Sequence, residues 1–170
     1  MTLLDPPLRR RIGLMRHAHA GSAMNGQRDF DRTLTDAGYD EAEIVGDRAA
    51  DKGFRPDLIL SSTAMRCRQT AEAMHRTLGE TIELRFVDEL YNGSLETYVQ
   101  LLSAQDTNLL LIGHNPAIEE VLLALVGLPA MQAAITGGYP TAGLAILDRS
   151  DPREDSGFEW TLTEFVTGWR

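Results

Sequence analysis

The chain has 170 residues, long enough for one domain with a sizeable core and too short for two comfortable ones. Its formal charge of −9, from 16 basic and 25 acidic residues, argues against a non-specific nucleic-acid binder, which needs a cationic surface. The longest unbroken apolar run, Val121 to Val126, is far short of a membrane span, and one cysteine, Cys67, allows neither an internal disulfide nor a cysteine metal cluster.

Residues 1–11 carry Pro6, Pro7 and three successive arginines without an adequate apolar stretch after them. That predicts a frayed lead-in over 1–10 rather than a secretion signal, and a cytoplasmic protein. Ile12 to Met15 is an apolar run between Arg11 and Arg16 and reads as a buried strand. Thr35 suits the N-cap of a helix over Asp36–Lys52 that Gly53 ends. A second strand is expected over Asp57–Ser61, then a helix capped by Ser62 or Thr63 and running to Leu78, closed by Gly79. Ile82–Val87 reads as a third strand, followed by a helix over Leu95–Leu102 capped by Ser94. Asn108–Gly113 reads as a fourth, and Asn115-Pro116 opens a helix through Val126 that Gly127 stops. Leu144–Asp148 and Phe158–Val166 complete the strands, the last as an edge or antiparallel one, with a charged loop over Ser150–Gly157 between them. Alternating strands and helices predict an α/β fold, a mostly parallel sheet with helices on both faces, and a single domain over 1–170.

In such a sheet, chemistry collects beyond the carboxyl ends of the strands. Three of these ends carry unusual polar residues: Arg16-His17, Ser61-Ser62 followed by Arg66, and Gly113-His114-Asn115. Two histidines and two arginines would meet in one crevice. A neutral imidazole is a good nucleophile toward phosphorus, and guanidinium forks hold phosphoryl oxygens as their charge redistributes. Taken singly, each residue has a plainer role: Arg16-His17 as a structural pair, Arg66 as a solvated helix arginine, His114 as a satisfied core histidine. The sole lysine, Lys52, against fifteen arginines suits an anion site, though a GC-rich gene is the plainer explanation of that bias.

Three motifs in order carry a resemblance. Arg16-His17-Ala18, the stretch Ser61-Ser62-Thr63-Ala64-Met65-Arg66-Cys67-Arg68-Gln69-Thr70-Ala71, and Leu111-Ile112-Gly113-His114-Asn115-Pro116 resemble the signatures of the histidine phosphatase superfamily. The short length, the Arg-His-Ala variant and Asp31-Arg32-Thr33-Leu34-Thr35-Asp36-Ala37-Gly38 are similar to the SixA type of phosphohistidine phosphatase within it. The resemblance implies a three-layer α/β/α, phosphoglycerate mutase-like fold and a phosphatase without cofactor or metal. It implies that His17 is the nucleophile and that Arg16, Arg66 and His114 bind phosphate. Arg32 matches a motif position near the pocket mouth and is a substrate-contact candidate, with Arg28 ranked after it. Ala18 stands where most members have glycine, so a glycine-only backbone conformation there is in question. Thr63 replaces a proline, and His19 is expected to face solvent.

On the leaving-group side, Asp88-Glu89-Leu90-Tyr91 falls where larger members carry a proton-donating carboxylate. Glu89 is the candidate acid, and a solvated loop carboxylate is the equal alternative. The expected substrate is a phosphohistidine in a protein. The alternatives are a small phosphate ester, or a phosphate-binding regulatory module with little turnover. Neither nucleic acid nor membrane is an expected partner. The chain has no Gly-x-x-x-x-Gly-Lys-Ser/Thr loop, and its four histidines lack neighbouring acids at metal-ligand spacing.

Overall fold

Strict alternation of apolar side chains along the strands sorts the interior into two clusters, one on each side of a sheet. The computed structural model describes residues 10–150 and 157–168. Apart from Arg10, Ser150 and Gly157, the predicted lead-in and the predicted charged loop lie outside them. The strands are β1 (Arg11–Arg16), β2 (Leu58–Ser62), β3 (Glu83–Val87), β4 (Leu109–Gly113), β5 (Leu144–Arg149) and β6 (Trp160–Val166). They form one sheet in the order β3-β2-β4-β1-β5-β6. The pairs β2–β3, β2–β4 and β1–β4 are parallel, whereas β1–β5 and β5–β6 are antiparallel. The mostly parallel sheet and the antiparallel edge at β6 are as the sequence pattern predicted.

Helices α1 (Asp36–Asp51) and α2 (Met65–Leu78) cover one face, where Ala42, Val45, Ala71 and Met74 pack on Met15, Ile59, Leu110 and Ile112. Helices α3 (Leu95–Ser103) and α4 (Ala117–Val126) cover the other, where Tyr98, Leu102, Ile118 and Leu122 pack on Leu14, Leu60, Leu109 and Leu111. Thr35 and Ser94 cap α1 and α3 as expected, accepting from the N–H groups of Gly38 and Thr97.

Two readings change. Neither Ser62 nor Thr63 is the N-cap of α2: β2 runs on through Ser62, and the helix starts at Met65 behind Ala64 with no side-chain cap. Ser62 Oγ is occupied elsewhere, accepting from the Ala64 N–H at 3.2 Å and lying 2.8 Å from Nε2 of His114. A further helix, α5 (Leu128–Ala134), follows α4 directly. Gly127, at φ 85°, ends α4 and starts α5, so the glycine that reads as a stop is also a corner. No helix among the described residues is long and apolar enough to cross a membrane.

The strand end at Gly113 depends on a close approach. A Cβ there would collide with the Tyr98 hydroxyl. That buried hydroxyl donates to Leu90 O at 2.8 Å and accepts from the His114 N–H at 3.1 Å, joining α3, the segment after β3 and the β4–α4 turn. Tyr98→Phe leaves two buried backbone groups without a partner. It is expected to cost about 1–3 kcal/mol in urea unfolding, with little change in the denaturant slope.

Candidate active site

The parallel register between β1 and β4 places the two histidines side by side. Arg16 is level with Gly113, and the His17 N–H donates to Gly113 O at 3.1 Å. The next residue on each strand is a histidine, and the two rings lie 5.5 Å apart. Both are 8% exposed. The neighbouring strand β2 hands over to α2, whose first turn carries Arg66, only 5% exposed. The structure therefore brings together all four residues that the motifs singled out.

His17 is held in one tautomer. Its Nδ1 lies 2.7 Å from Ala18 O, so Nδ1–H donates to the carbonyl and the lone pair is on Nε2. Ala18 has no positive φ and its methyl is fully buried, so the position does not need glycine. The Ala18 N–H donates to Thr70 Oγ1 at 3.0 Å, and that hydroxyl donates to Arg66 O at 2.7 Å, which ties the His17 loop to α2. Burial foremost, with Arg66, Arg16 and Arg32 adding to it against the Ala18 carbonyl, pulls the His17 pKa from 6.5 down to about 4. The ring is neutral near pH 7, the state a nucleophile requires.

His114 sits in a two-ended socket. Nη2 of Arg66 approaches Nδ1 at 3.3 Å, and Ser62 Oγ lies 2.8 Å from Nε2. With Arg66 donating to Nδ1, the ring's one proton belongs on Nε2 and is donated to Ser62. A hydroxyl can donate as readily as accept. If Arg66 turned to an anion, Nδ1 could carry the proton toward that anion while Ser62 donated to Nε2. Burial first, then His17 and Arg66, brings the His114 pKa to about 3. Cys67 is packed against the same ring, with Sγ 3.4 Å from Nε2, and burial pushes its thiol up to about 12.

The arginines are held but not saturated. Arg16 Nη1 donates to Tyr139 O at 2.8 Å, and Arg66 Nη1 donates to Asp29 O at 2.9 Å. Four buried side-chain atoms among the described residues lack a hydrogen-bond partner: Arg16 Nε, Arg66 Nε, Thr63 Oγ1 and Asn115 Oδ1. All four lie at or just beyond the carboxyl ends of β1, β2 and β4, Arg66 in the first turn of α2. Buried polar groups are nearly always satisfied, so two guanidinium N–H groups in this state fit a site for an anion.

The remaining candidates take other places. Arg32 reaches the rim through Asp29, with Nε 2.9 Å from Oδ1, while its Nη1 donates to Gly21 O. Arg28 pairs with Asp31 at 2.8 Å on the surface. His19 is exposed, with Nδ1 2.9 Å from Thr35 Oγ1. Glu89 lies exposed in a short 3₁₀ turn over Asp88–Leu90, and no hydrogen bond or ion pair joins it to Arg16, His17, Arg66 or His114. Tyr91 is the residue of that segment that reaches the crevice: its ring lies 5.6 Å from that of His114 and 5.9 Å from the Arg66 guanidinium carbon. Sequence reasoning missed Tyr91 and Asp29. Neither falls at a strand end, and no spacing marks them.

Residues 12–101 match the histidine phosphatase superfamily (branch 1). The chain belongs to the histidine phosphatase superfamily. It is 46% identical to a candidate phosphohistidine phosphatase SixA from Agrobacterium tumefaciens, over 93% of this chain and 97% of that one, with a TM-score of 0.83. A second SixA-type structure, from Nakamurella multipartitia, is 29% identical over 95% and 97% of the two chains, with a TM-score of 0.75. An uncharacterized Mycobacterium tuberculosis protein is 30% identical over 78% of this chain and 85% of its own. The chain is thus a phosphatase of the histidine phosphatase type with the phosphoglycerate mutase-like fold.

The buried histidines should be visible in solution. By ¹⁵N-edited NMR, His17 is expected to stay neutral with its proton on Nδ1 from pH 7 to pH 5, and to titrate near 4. A midpoint near 6.5 would contradict the buried environment. In the unfolded chain both rings take up protons near 6.5, and in the folded protein only at lower pH. The unfolded state then binds more protons as pH falls from 6.5 to 4, so the urea midpoint is expected to drop across that window.

Proposed function

We propose that this protein takes the phosphoryl group of a phosphorylated histidine in another protein onto Nε2 of His17 and passes it to water, without a metal ion. The observation that carries this is a neutral, carbonyl-oriented His17 beside two arginines whose Nε atoms lack a partner. The Nε2 lone pair attacks phosphorus while the departing group takes the electron pair of the bond that breaks. Arg16 and Arg66 hold the phosphoryl oxygens through charge-assisted hydrogen bonds, and His114 adds a donor from Nδ1. Water then attacks phospho-His17, the P–N bond opens, and Nε2 recovers its lone pair as phosphate leaves. Arg32 meets the substrate at the rim.

The substrate class rests on the leaving group. An alkoxide needs an acid to protonate it, whereas an imidazole carrying a proton on its far nitrogen leaves neutral. Glu89, the best candidate for that task in its segment, makes no hydrogen bond or ion pair with Arg16, His17, Arg66 or His114, which favours the nitrogen-linked substrate. The likeness to the candidate phosphohistidine phosphatases of the SixA type points the same way. A cytoplasmic setting goes with this role.

The test compares a phosphohistidine peptide with a panel of small phosphomonoesters, with chelator present. Phosphate release from the peptide is expected to exceed that from alkyl esters. His17→Ala should reduce it to background, and Arg66→Ala by about 10²–10³-fold. Rapid quenching should trap an acid-labile phosphoryl group on His17. A wild-type protein as slow as His17→Ala on every substrate sinks the proposal, and tight phosphoprotein binding without phospho-His17 would make it a binding module. Glu89→Gln is expected to change ester hydrolysis by less than about twofold. A selective loss of ester activity would assign it the proton-donor role instead.

A further inference from the structure

Among the described residues, Asp29 is the carboxylate paired with Arg66, the arginine proposed to bind phosphate. Its Oδ2 accepts from Arg66 Nη2 at 3.0 Å and from the Tyr91 hydroxyl at 2.7 Å, and its Oδ1 accepts from Arg32 Nε at 2.9 Å. Its backbone oxygen takes Arg66 Nη1 as well, so Asp29 occupies the outer edge of that guanidinium while the buried Nε has no hydrogen-bond partner. The rings step outward from His17 to His114 at 5.5 Å and from His114 to Tyr91 at 5.6 Å, and the Tyr91 hydroxyl ends on the Asp29 carboxylate. The side chain is 54% exposed, at the rim. The Tyr91 hydrogen bond first, then Arg66 and Arg32, hold its pKa down to about 2, so it is anionic at every physiological pH.

A fixed negative charge at the mouth of a phosphate pocket is unhelpful for catching phosphate. It removes part of the attraction of Arg66 and Arg32, and it opposes the negative charge that grows on the oxygen of a departing ester. For a nitrogen-linked phosphoryl group the sign reverses. We infer that Asp29 is a specificity-determining residue, whose carboxylate accepts a hydrogen bond from the protonated far nitrogen of the departing imidazole and disfavours phosphate esters. This rests on the function proposed above. In the step, the lone pair of His17 Nε2 forms the new P–N bond and the substrate P–N bond breaks. Its electron pair returns to the ring nitrogen that held phosphorus. The proton on the other nitrogen stays in place beside Asp29, so the imidazole leaves neutral and the pocket supplies no acid.

The experiment measures kcat/KM for a phosphohistidine peptide and for phenyl phosphate with wild type, Asp29→Asn, Asp29→Glu and Tyr91→Phe. Asparagine is isosteric and sits at the rim, and glutamate tests the charge if the asparagine variant folds poorly. The expected result is a fall of about tenfold or more in the peptide-to-ester ratio for Asp29→Asn. The ratio should stay near the wild-type value in Asp29→Glu and Tyr91→Phe, which keep the carboxylate. If Asp29→Asn shifts both substrates by the same factor, Asp29 only supports or blocks Arg66 and the inference is overturned. A rise in the ratio overturns it too. Wild type without activity on either substrate removes the proposed function itself, a result separable from an unchanged ratio in an active enzyme.

Discussion

The parallel ladder between β1 and β4 sets everything that follows at the active site. Because Arg16 is level with Gly113, the chain leaves both strands one residue later, at His17 and His114. The His17 N–H bond to Gly113 O locks that register where the sheet ends. A slip of one residue would turn one histidine to the opposite face. Gly113 adds the second half of the constraint, since only a residue without a Cβ lets the Tyr98 hydroxyl reach the His114 N–H.

Burial then turns position into chemistry. Both rings sit among guanidinium groups and have little access to water, so each is far easier to keep neutral than to protonate. The Ala18 carbonyl selects the His17 tautomer, and the carbonyl is available whatever side chain stands there. That explains why alanine serves where related chains have glycine. The Ser62 hydroxyl plays a different part at His114, because it can follow the ring through either tautomer.

Much of the architecture was legible from local pattern. Apolar runs located all six strands to within two residues, and Thr35 and Ser94 announced their helices through the side chains that cap them. The α2 start was misread for a tertiary reason: the Ser62 hydroxyl serves His114 and the turn. α5 was missed because seven residues are too few for a helical period to declare itself, and Gly127 before them reads as an end. Glu89 was the candidate acid because its segment falls where larger family members carry one, yet a short 3₁₀ turn leaves it exposed and sends Tyr91 toward the crevice.

By itself the sequence determined which groups could do chemistry. Arg16, His17, Arg66 and His114 stand at or just beyond strand ends, and strand ends in a parallel sheet open on one side. Period-two burial dictates that much without any long-range information. Only the tertiary structure decided how those groups are charged and balanced. Asp29 lies 37 residues before Arg66 and 62 before Tyr91, in a three-residue 3₁₀ turn too short for a periodic signal, and meets both only when the β1–α1 and β3–α3 connections fold over the same crevice. Tautomers, neutral rings and a counter-charge at the rim are products of three-dimensional proximity and desolvation, and residue order does not encode them locally.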